Sequence, residues 1–498
     1  MSERAATVAA VDLGASSGRV VVGSCTAHSV TLQEVHRFPN VPVRVGGVLR
    51  WDVLALFRGV LDGLREAANI VGPLDAVGVD SWAVDYGLLD ADGQLLGNPA
   101  HYRDARTAPA VAAALDRCGA AELYGATGAA LQPFNTVFQL LADRGTAQMG
   151  IATQALLIPD LMTYWLSGSM GTELTNASTT GLLDARTLDW STTLAGHLGV
   201  PLGLFSPIRR PGQISGTMRA DVAADTGLDT PPQVVTVPSH DTAAAVAGIP
   251  AQSERFAYVC TGTWALVGLT LPEPVITEAS RAANFTNEVA ADGSIRFLRN
   301  VTGFWLLQEC VREWRASGRQ VELDELTDAA ANLPALRALI DVQDPGFTVP
   351  GDMPRRVAQA CLQTSGITVA TPAETTRCIL DSMAVAIRHA LRDAVRLSNH
   401  TVDTVHIVGG GVSNALFCQL VANACQLPVH AGPTEAASWG NTISQARALG
   451  VLSGPAADAR AIIGQTAHPV TYGARGDEAA WHRADEIVLN ARSTRSCA

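Results

Sequence analysis

Three short segments of this chain combine glycine, hydroxyl and acidic residues in ways that serve phosphate chemistry. In Asp12-Leu13-Gly14-Ala15-Ser16-Ser17-Gly18-Arg19 a tight Gly/Ser turn offers backbone N–H groups and hydroxyls to an anion, and Arg19 adds a cation. Asp12, at a strand end beside that turn, is suited to a hydrated Mg²⁺. No Gly-Lys-Ser/Thr follows, so this is not a Walker A loop. A strand rather than a helix follows the glycines, so it is not a Rossmann fingerprint either. Taken alone, the segment reads as an ordinary hairpin turn with an exposed Asp. Cys260-Thr-Gly-Thr-Trp264 is a second turn of the same kind, and Val408-Gly-Gly-Gly-Val-Ser-Asn414 is a third glycine cluster. There glycine lets a ligand approach the backbone, and a helix beginning near Asn414 favours an anion. Any one of these is a glycine-rich turn; three in one chain, two of them in matching hairpins, point to a nucleotide cleft.

A fourth segment, Ser239-His240-Asp241-Thr242, could act on a proton. Asp241 is a candidate general base, and His240 and Thr242 extend polar reach toward a substrate. The competing role for Asp241 is a helix N-cap. His and Asp are adjacent, so their side chains diverge and no Ser-His-Asp triad forms by spacing. In Asn300-Val-Thr-Gly-Phe-Trp-Leu-Leu-Gln308, Asn300 and Gln308 could hydrogen-bond a polyol or phosphate, or merely flank a buried helix. Trp82 could stack on a sugar face, although burial is the commoner fate of Trp.

The elements that must position these residues alternate between short β-rich runs and longer helical ones, which is α/β architecture. Val8–Val11 and Arg19–Gly23 flank the first turn as a hairpin, and Phe256–Thr270 repeats the strand, glycine turn, strand unit. Val77–Asp80, Gln233–Val237 and Val405–Val408 are further strands, with Ala243–Ala247 helix-like. Helices are expected at Trp51–Asn69, Pro133–Asp143 and Pro372–Leu397. The last opens on a capping box, Thr371-Pro372-Ala373-Glu374, and carries an apolar stripe of 3.6-residue period that is core packing. A helical tail is expected around Asp477–Ala491, while 190–235 and 318–370 carry little pattern. Gly248–Glu254, rich in Gly, Pro and polar residues, is the expected hinge between two lobes, 1–247 and 248–498.

Composition narrows the function classes. The 498 residues, 47% hydrophobic and 16% charged, supply ample core and no sign of disorder. Net charge is −12, a poor match to nucleic acid or an anionic membrane surface. A polyanion such as ATP would need backbone dipoles, a few placed cations or a metal. Met1–Arg4 meets Asp12 before a leader's apolar region could form, and Pro159 and Asp160 interrupt the longest apolar run, so neither leader nor membrane span is expected. The nine cysteines show no metal-like spacing and read as free thiols in a reducing cytoplasm.

Together AVDLGASSGR (10–19), PFNTVFQL (133–140), TNASTTGLLD (175–184), PSHDTAAAV (238–246), ANFTNE (283–288), RNVTGFWLLQ (299–308), the turn TGTWALVG, the cluster HIVGGGVSN and AGPTEAASWGN (431–441) resemble the FGGY carbohydrate kinases, members of the actin-like ATPase superfamily. The similarity runs from about Val8 to Gly450 and is strongest to those members that act on L-rhamnulose. The resemblance implies two ribonuclease-H-like lobes around a central nucleotide/sugar cleft, with ATP and Mg²⁺ bound. The N-terminal lobe would carry the phosphate loop, sugar site and base; the C-terminal lobe the second hairpin, the adenosine-binding glycine cluster and the tail. It implies phosphorylation of L-rhamnulose at its 1-hydroxyl. Asp241 matches the catalytic base, and His240, Thr242 and Asn300 match sugar-binding positions. Ala15, Ser16, Ser17, Gly18 and Arg19 match the phosphate loop; Thr263, Gln308 and Gly410 match nucleotide contacts. Ala83 stands where the family has a sugar-contacting glycine, which adds a methyl beside the ketose. Open alternatives are another ketose or polyol (L-fuculose, D-xylulose, glycerol) and a sugar sensor without turnover. Expected partners are the sugar and ATP, with no nucleic acid or membrane, in a monomer or homodimer.

Overall fold

The computed structural model describes residues 5–496, so Met1–Arg4 and its leader assignment lie outside them. By contact the chain forms two units that are not successive halves. The first comprises the chain through Gln252 together with Thr270–Phe297 and Ala436–Ala467; the second comprises Ser253–Leu269, Leu298–Glu435 and the chain from His468.

The first unit is built on a six-stranded sheet. Its centre is Ala6–Leu13, a nearly continuous apolar run, paired in parallel with Ala76–Ser81 and antiparallel with Ser17–Cys25. Both faces of the two parallel strands are buried, which is why they read as largely apolar runs leading up to Asp12 and Asp80. Val30–Pro39 forms one edge, with exposed residues recurring along it; Gln233–Val235 and Ile214–Thr217 form the other. One face is covered by helix Val53–Val71, opened by Asp52, whose carboxylate accepts from the Ala55 N–H at 3.2 Å. Its stripe Val53, Leu56, Val60, Leu64 and Ala67 is buried on the sheet. The helix starts two residues later than the sequence pattern placed it, because Trp51 belongs to the core beneath and Asp52 is the cap.

On the other face lies Ala436–Ala448, against helix Asp241–Ala247. Glycine makes this approach possible. A Cβ on Gly440 would run into the carbonyl oxygen of Ala244, and one on Gly248 into that of Ala436. Gln445 and Asn441 also project onto the sheet, Gln445 Nε2 donating to the Ala9 carbonyl at 2.9 Å.

The second unit repeats the opening arrangement. Phe256–Thr261 and Trp264–Leu271 form the antiparallel hairpin, and Phe256–Thr261 pairs in parallel with the distant Thr404–Gly409. Val429–Ala431 and Val470–Tyr472 continue the sheet. Pro372–Ser398 is the long helix anticipated from its capping box: the Thr371 hydroxyl accepts from Glu374 N–H at 3.2 Å, and Glu374 Oε2 accepts from Thr371 N–H at 3.1 Å. The tail forms Glu478–Ser496, pinned by Arg492 donating to Asp341. Stretches 190–235 and 318–370 hold the short helices Thr192–Leu198, Ala220–Thr226 and Leu323–Ala331, each too brief to impose a periodic signature, together with the longer Met353–Ser365, whose pattern the sequence reading did not pick out.

Gly440→Ala places a methyl against a backbone carbonyl that cannot rotate away. A loss of about 1–3 kcal/mol in urea unfolding is expected, whereas Gly196→Ala, with open space at the Cβ position of a helical glycine, should lose nothing and gain up to about 1 kcal/mol.

Candidate active site

The site of the first unit follows from strand register. Asp12 pairs across the ladder with Arg19 on one side and with Asp80 on the other, so three ionisable side chains stand in one row at one end of the sheet. Arg19 Nε lies 3.5 Å from Asp12 Oδ2. Beyond Asp80, Ser81 pairs with His240, its N–H donating to the Ser239 carbonyl at 2.9 Å, which brings Asp241 beside the row.

The row is electrostatically tense. Burial raises Asp12 to about 6; Arg19 opposes the shift, and the charge of Asp241 adds to it. Asp80 is driven well above the carboxylate range by burial and by Asp12, against the 2.6 Å hydrogen bond that its Oδ2 accepts from Asn441. Its Oδ1 is buried without a hydrogen-bond partner among the described residues. An orphaned buried carboxylate oxygen beside two further carboxylates is the donor set of a hard cation, and Asp12 and Asp80 therefore fit Mg²⁺.

The loop after Asp12 is short and braced. Gly14 N–H donates to the Ser17 carbonyl at 2.9 Å; buried Asn40 donates to the Gly14 carbonyl at 2.9 Å and, from its own N–H, to Ser16 at 3.0 Å. Ala15 and Ser16 are exposed at the tip, with Ser17 and Arg19 half-buried and Gly18 buried beneath. Asp241 is the first residue of its helix. His240 occupies the N-cap without a side-chain cap bond, so the capping role is not the one Asp241 performs. Ser239 is held by Glu173, whose buried carboxylate accepts from the Ser239 N–H and hydroxyl at 3.0 and 2.9 Å and from Thr175 and Asn176. His240 and Thr242 are buried and Asp241 is half-buried.

Ala83 sits in a turn organised by Asp85. Asp85 is fully buried and accepts from Trp51 Nε1 at 2.5 Å, Trp82 Nε1 at 3.1 Å, Tyr102 N–H at 3.2 Å and Gln139 Nε2 at 2.7 Å. Trp82 packs on Trp51 at 4.2 Å between centroids and is buried rather than presented as a platform. Val84, between Ala83 and Asp85, has φ of 70°, a strained value for a β-branched residue. Its carbonyl is held by Thr136 at 2.7 Å.

In the second unit, the turn Thr261–Trp264 and the glycines 409–411 meet at one sheet end. Thr261 Oγ1 donates to the Val408 carbonyl at 3.0 Å and accepts from Gly411 N–H at 3.0 Å; a Cβ on Gly411 would collide with that hydroxyl. Gly409, at φ of 86°, adopts a left-handed conformation and abuts the Thr261 carbonyl. Gly410 is exposed with open space where a side chain would be. Phe304 and Trp305 N–H groups donate to Gly262 and Thr263, seating helix Trp305–Ala316 on the turn with Gln308 exposed. Thr263 and Asn300 are half-buried; the Asn300 carbonyl accepts from Gln343. Thus Thr263, Gln308 and Gly410 gather in this unit, while Asp12, the 15–19 loop, Ala83 and His240–Thr242 gather in the first. Sequence reading missed Asn40, Asp80, Asp85 and Glu173. Only Asp80, at the end of a strand, carried a local signal; the others are tied to the site by contacts distant in sequence, Asn40 to Gly14, Gln139 to Asp85 and Ser239 to Glu173.

Models of two domains match the chain in succession: the FGGY family of carbohydrate kinases, N-terminal domain, over residues 7–248, and its C-terminal domain over 257–449. The chain belongs to the FGGY family of carbohydrate kinases. Among curated relatives it is 38% identical over 477 residues to a rhamnulokinase of Bacteroides thetaiotaomicron, covering 95% of this chain and 97% of that protein. It is 40% identical over 456 residues to a rhamnulokinase of Pectobacterium carotovorum, covering 90% of each. The fold matches a ligand-bound xylulose kinase of Lactobacillus acidophilus with a TM-score of 0.81 at 17% identity, over 99% of this chain and 98% of that one. This FGGY kinase thus has the mixed α/β actin-like ATPase fold that its motifs implied.

Asp85 gives the kinase a measurable pH signature. Burial lifts its carboxyl to about 6 although Gln139, Trp51 and Trp82 donate to it, whereas in the unfolded chain it titrates near ~3.9. Between those values the folded state binds more protons, so the Asp85 contribution to stability falls as pH rises. Wild-type stability minus that of Asp85→Asn should decline by about 2 kcal/mol from about pH 4 to pH 6.5, read from urea unfolding at each pH. A flat difference would show that Asp85 is ionised throughout.

Proposed function

We propose that this kinase transfers the γ-phosphoryl group of ATP to the 1-hydroxyl of L-rhamnulose, releasing ADP and L-rhamnulose 1-phosphate. The observation that carries the substrate is the near full-length identity to two rhamnulokinases. Asp241 is the base. Its Oδ1 accepts the Thr242 hydroxyl at 3.0 Å, so Oδ2 is the oxygen available to the incoming hydroxyl proton. As the sugar oxygen bonds to the γ-phosphorus, the bond from phosphorus to the bridging oxygen breaks and ADP departs with the electron pair, while the proton passes to Asp241. His240, Thr242, Asn300 and the turn at Ala83 orient the ketose. Ala15–Arg19 contribute N–H groups, hydroxyls and a guanidinium to phosphate oxygens, and Thr263, Gln308 and Gly410 seat the nucleotide. Asp12 with Asp80 would hold Mg²⁺, which when bound neutralises phosphate charge. The described cysteines are all free and mostly buried, and no described helix is long and apolar enough to cross a membrane; both support work in the cytoplasm.

The methyl of Ala83 makes another ketose the second reading. A coupled ADP-release assay with Mg²⁺-ATP and L-rhamnulose, L-fuculose, D-xylulose, L-ribulose or glycerol separates the two, the expected result being preference for L-rhamnulose. Asp241→Asn keeps shape while removing basicity, and its turnover should fall about 10²–10⁴-fold; near wild-type turnover would show that another group takes the proton. Asp12→Asn should raise the Mg²⁺ concentration for half-maximal rate about 10–100-fold, and an unchanged requirement would remove Asp12 from the metal site. ATP binding without sugar-stimulated ADP release would make the protein a sensor.

A further inference from the structure

We propose that Arg296 is a positioning residue: it fixes the tautomer of His240 and so, through Thr242, holds the Asp241 carboxylate in the orientation that takes the substrate proton. The proposal rests on Asp241 being the base, and Arg296 itself touches neither Asp241 nor Thr242 by hydrogen bond among the described residues.

Arg296, on strand Ile295–Thr302, is fully buried, a rare state for arginine unless it is paired. Its Nη2 lies 2.8 Å from Glu288 Oε2, on strand Thr286–Val289, and 2.9 Å from His240 Nδ1. A guanidinium is always protonated and only donates. Nη2 has two hydrogens, and these two neighbours use both. His240 Nδ1 must therefore present its lone pair. Glu288 Oε2 also lies 3.4 Å from Nδ1, the longer of the two approaches, and a proton placed there would face the Arg296 N–H.

The ring is then neutral with its hydrogen on Nε2, which lies 2.9 Å from Thr242 Oγ1. Nε2 donates, so the threonine hydroxyl receives that bond and turns its single hydrogen to Asp241 Oδ1 at 3.0 Å. Every link from Arg296 to His240, Thr242 and Asp241 runs donor to acceptor in one direction. Reversing the first reverses the rest. Without the Arg296 donor, Nδ1 can carry the hydrogen and donate to Glu288. Nε2 then becomes an acceptor, draws the Thr242 hydrogen, and Asp241 Oδ1 loses its donor. Glu288 in turn anchors Arg296: burial raises its carboxyl, and the charge of the buried guanidinium beside it counters this and holds it below the ordinary range.

The test uses the full chain labelled with ¹⁵N-histidine, with His240 assigned through its loss in His240→Gln. The wild type is expected to show the Nε2–H tautomer, Arg296→Met the Nδ1–H tautomer, and Arg296→Lys, which keeps a cationic donor, the Nε2–H tautomer again. In sugar-stimulated ADP release, Arg296→Met should lose about 10–100-fold in kcat, the value of one hydrogen bond to a charged group. The sugar KM is expected to change by a smaller factor than kcat, and Arg296→Lys should recover most of the rate. Thr242→Val should lose a similar factor, and combining it with Arg296→Met should lose little more, because both remove the same bond to Asp241. The proposal is overturned if Arg296→Met folds with the Nε2–H tautomer intact, if its kcat is unchanged, or if the two losses multiply. Should Arg296→Met fail to fold, a wild-type ring found as Nδ1–H or as imidazolium overturns it equally. A wild type with no sugar-stimulated turnover would overturn the base role of Asp241 and the positioning role with it. The tautomers, read without substrate, would still decide whether Arg296 sets the ring.

Discussion

Parallel pairing of Ala6–Leu13 with Ala76–Ser81 is the constraint on which the first unit depends. It places Asp12 and Asp80 side by side at one strand end, both buried, where each carboxylate raises the cost of ionising the other. Much of the surrounding structure answers that placement. Arg19 is delivered to the same row by the hairpin register, Asn441 reaches Asp80 from a segment more than three hundred residues away, and Ser239 docks on Ser81 so that Asp241 completes the acidic group. The unit thereby gathers three carboxylates, Asp12, Asp80 and Asp241, at one end of its sheet.

Buried carboxylates elsewhere in the unit show the contrasting solution. Asp85 takes four donors and Glu173 takes donors from both backbone and hydroxyl groups. These groups are satisfied and serve as pegs around which chain segments are arranged: the turn at Ala83 around Asp85, and the approach to Asp241 around Glu173. Asp80, with one oxygen unmatched, is the exception. The number of donors, more than burial itself, separates the carboxylates that build the site from those able to work in it.

What was legible in the sequence was local. Glycine turns after apolar runs disclosed both hairpins, and the Thr371–Glu374 capping box disclosed the longest helix, because the interactions concerned lie within four residues of one another. The motifs named the family and its candidate residues. The helix around Asp241 began two residues before its apolar pattern, because Asp241 and Thr242 are polar residues in its first turn. The supports Asn40, Asp85, Glu173 and Arg296 left no such trace. Glu173 and Asp85 also bond to near neighbours, but the partners that tie these residues to the site, Gly14, Gln139, His240 and Ser239, lie 26 to 66 residues away in sequence.

The discontinuity of the first unit also bears on how the protein is made. The helix that covers its sheet and packs against the segment bearing Asp241 is Ala436–Ala448, whereas the sheet itself is complete by Val235. At about 5–20 residues per second, a ribosome needs roughly 10–40 s to pass from the end of the first stretch at Gln252 to this helix. Throughout that interval the nascent sheet offers one apolar face, the backbone surface that Gly440 will meet is open, and Asp80 lacks Asn441. Within the first unit, the segment that emerges last, Ala436–Ala467, is the one that closes the part made first, and chaperone protection during elongation has a defined target in that uncovered face.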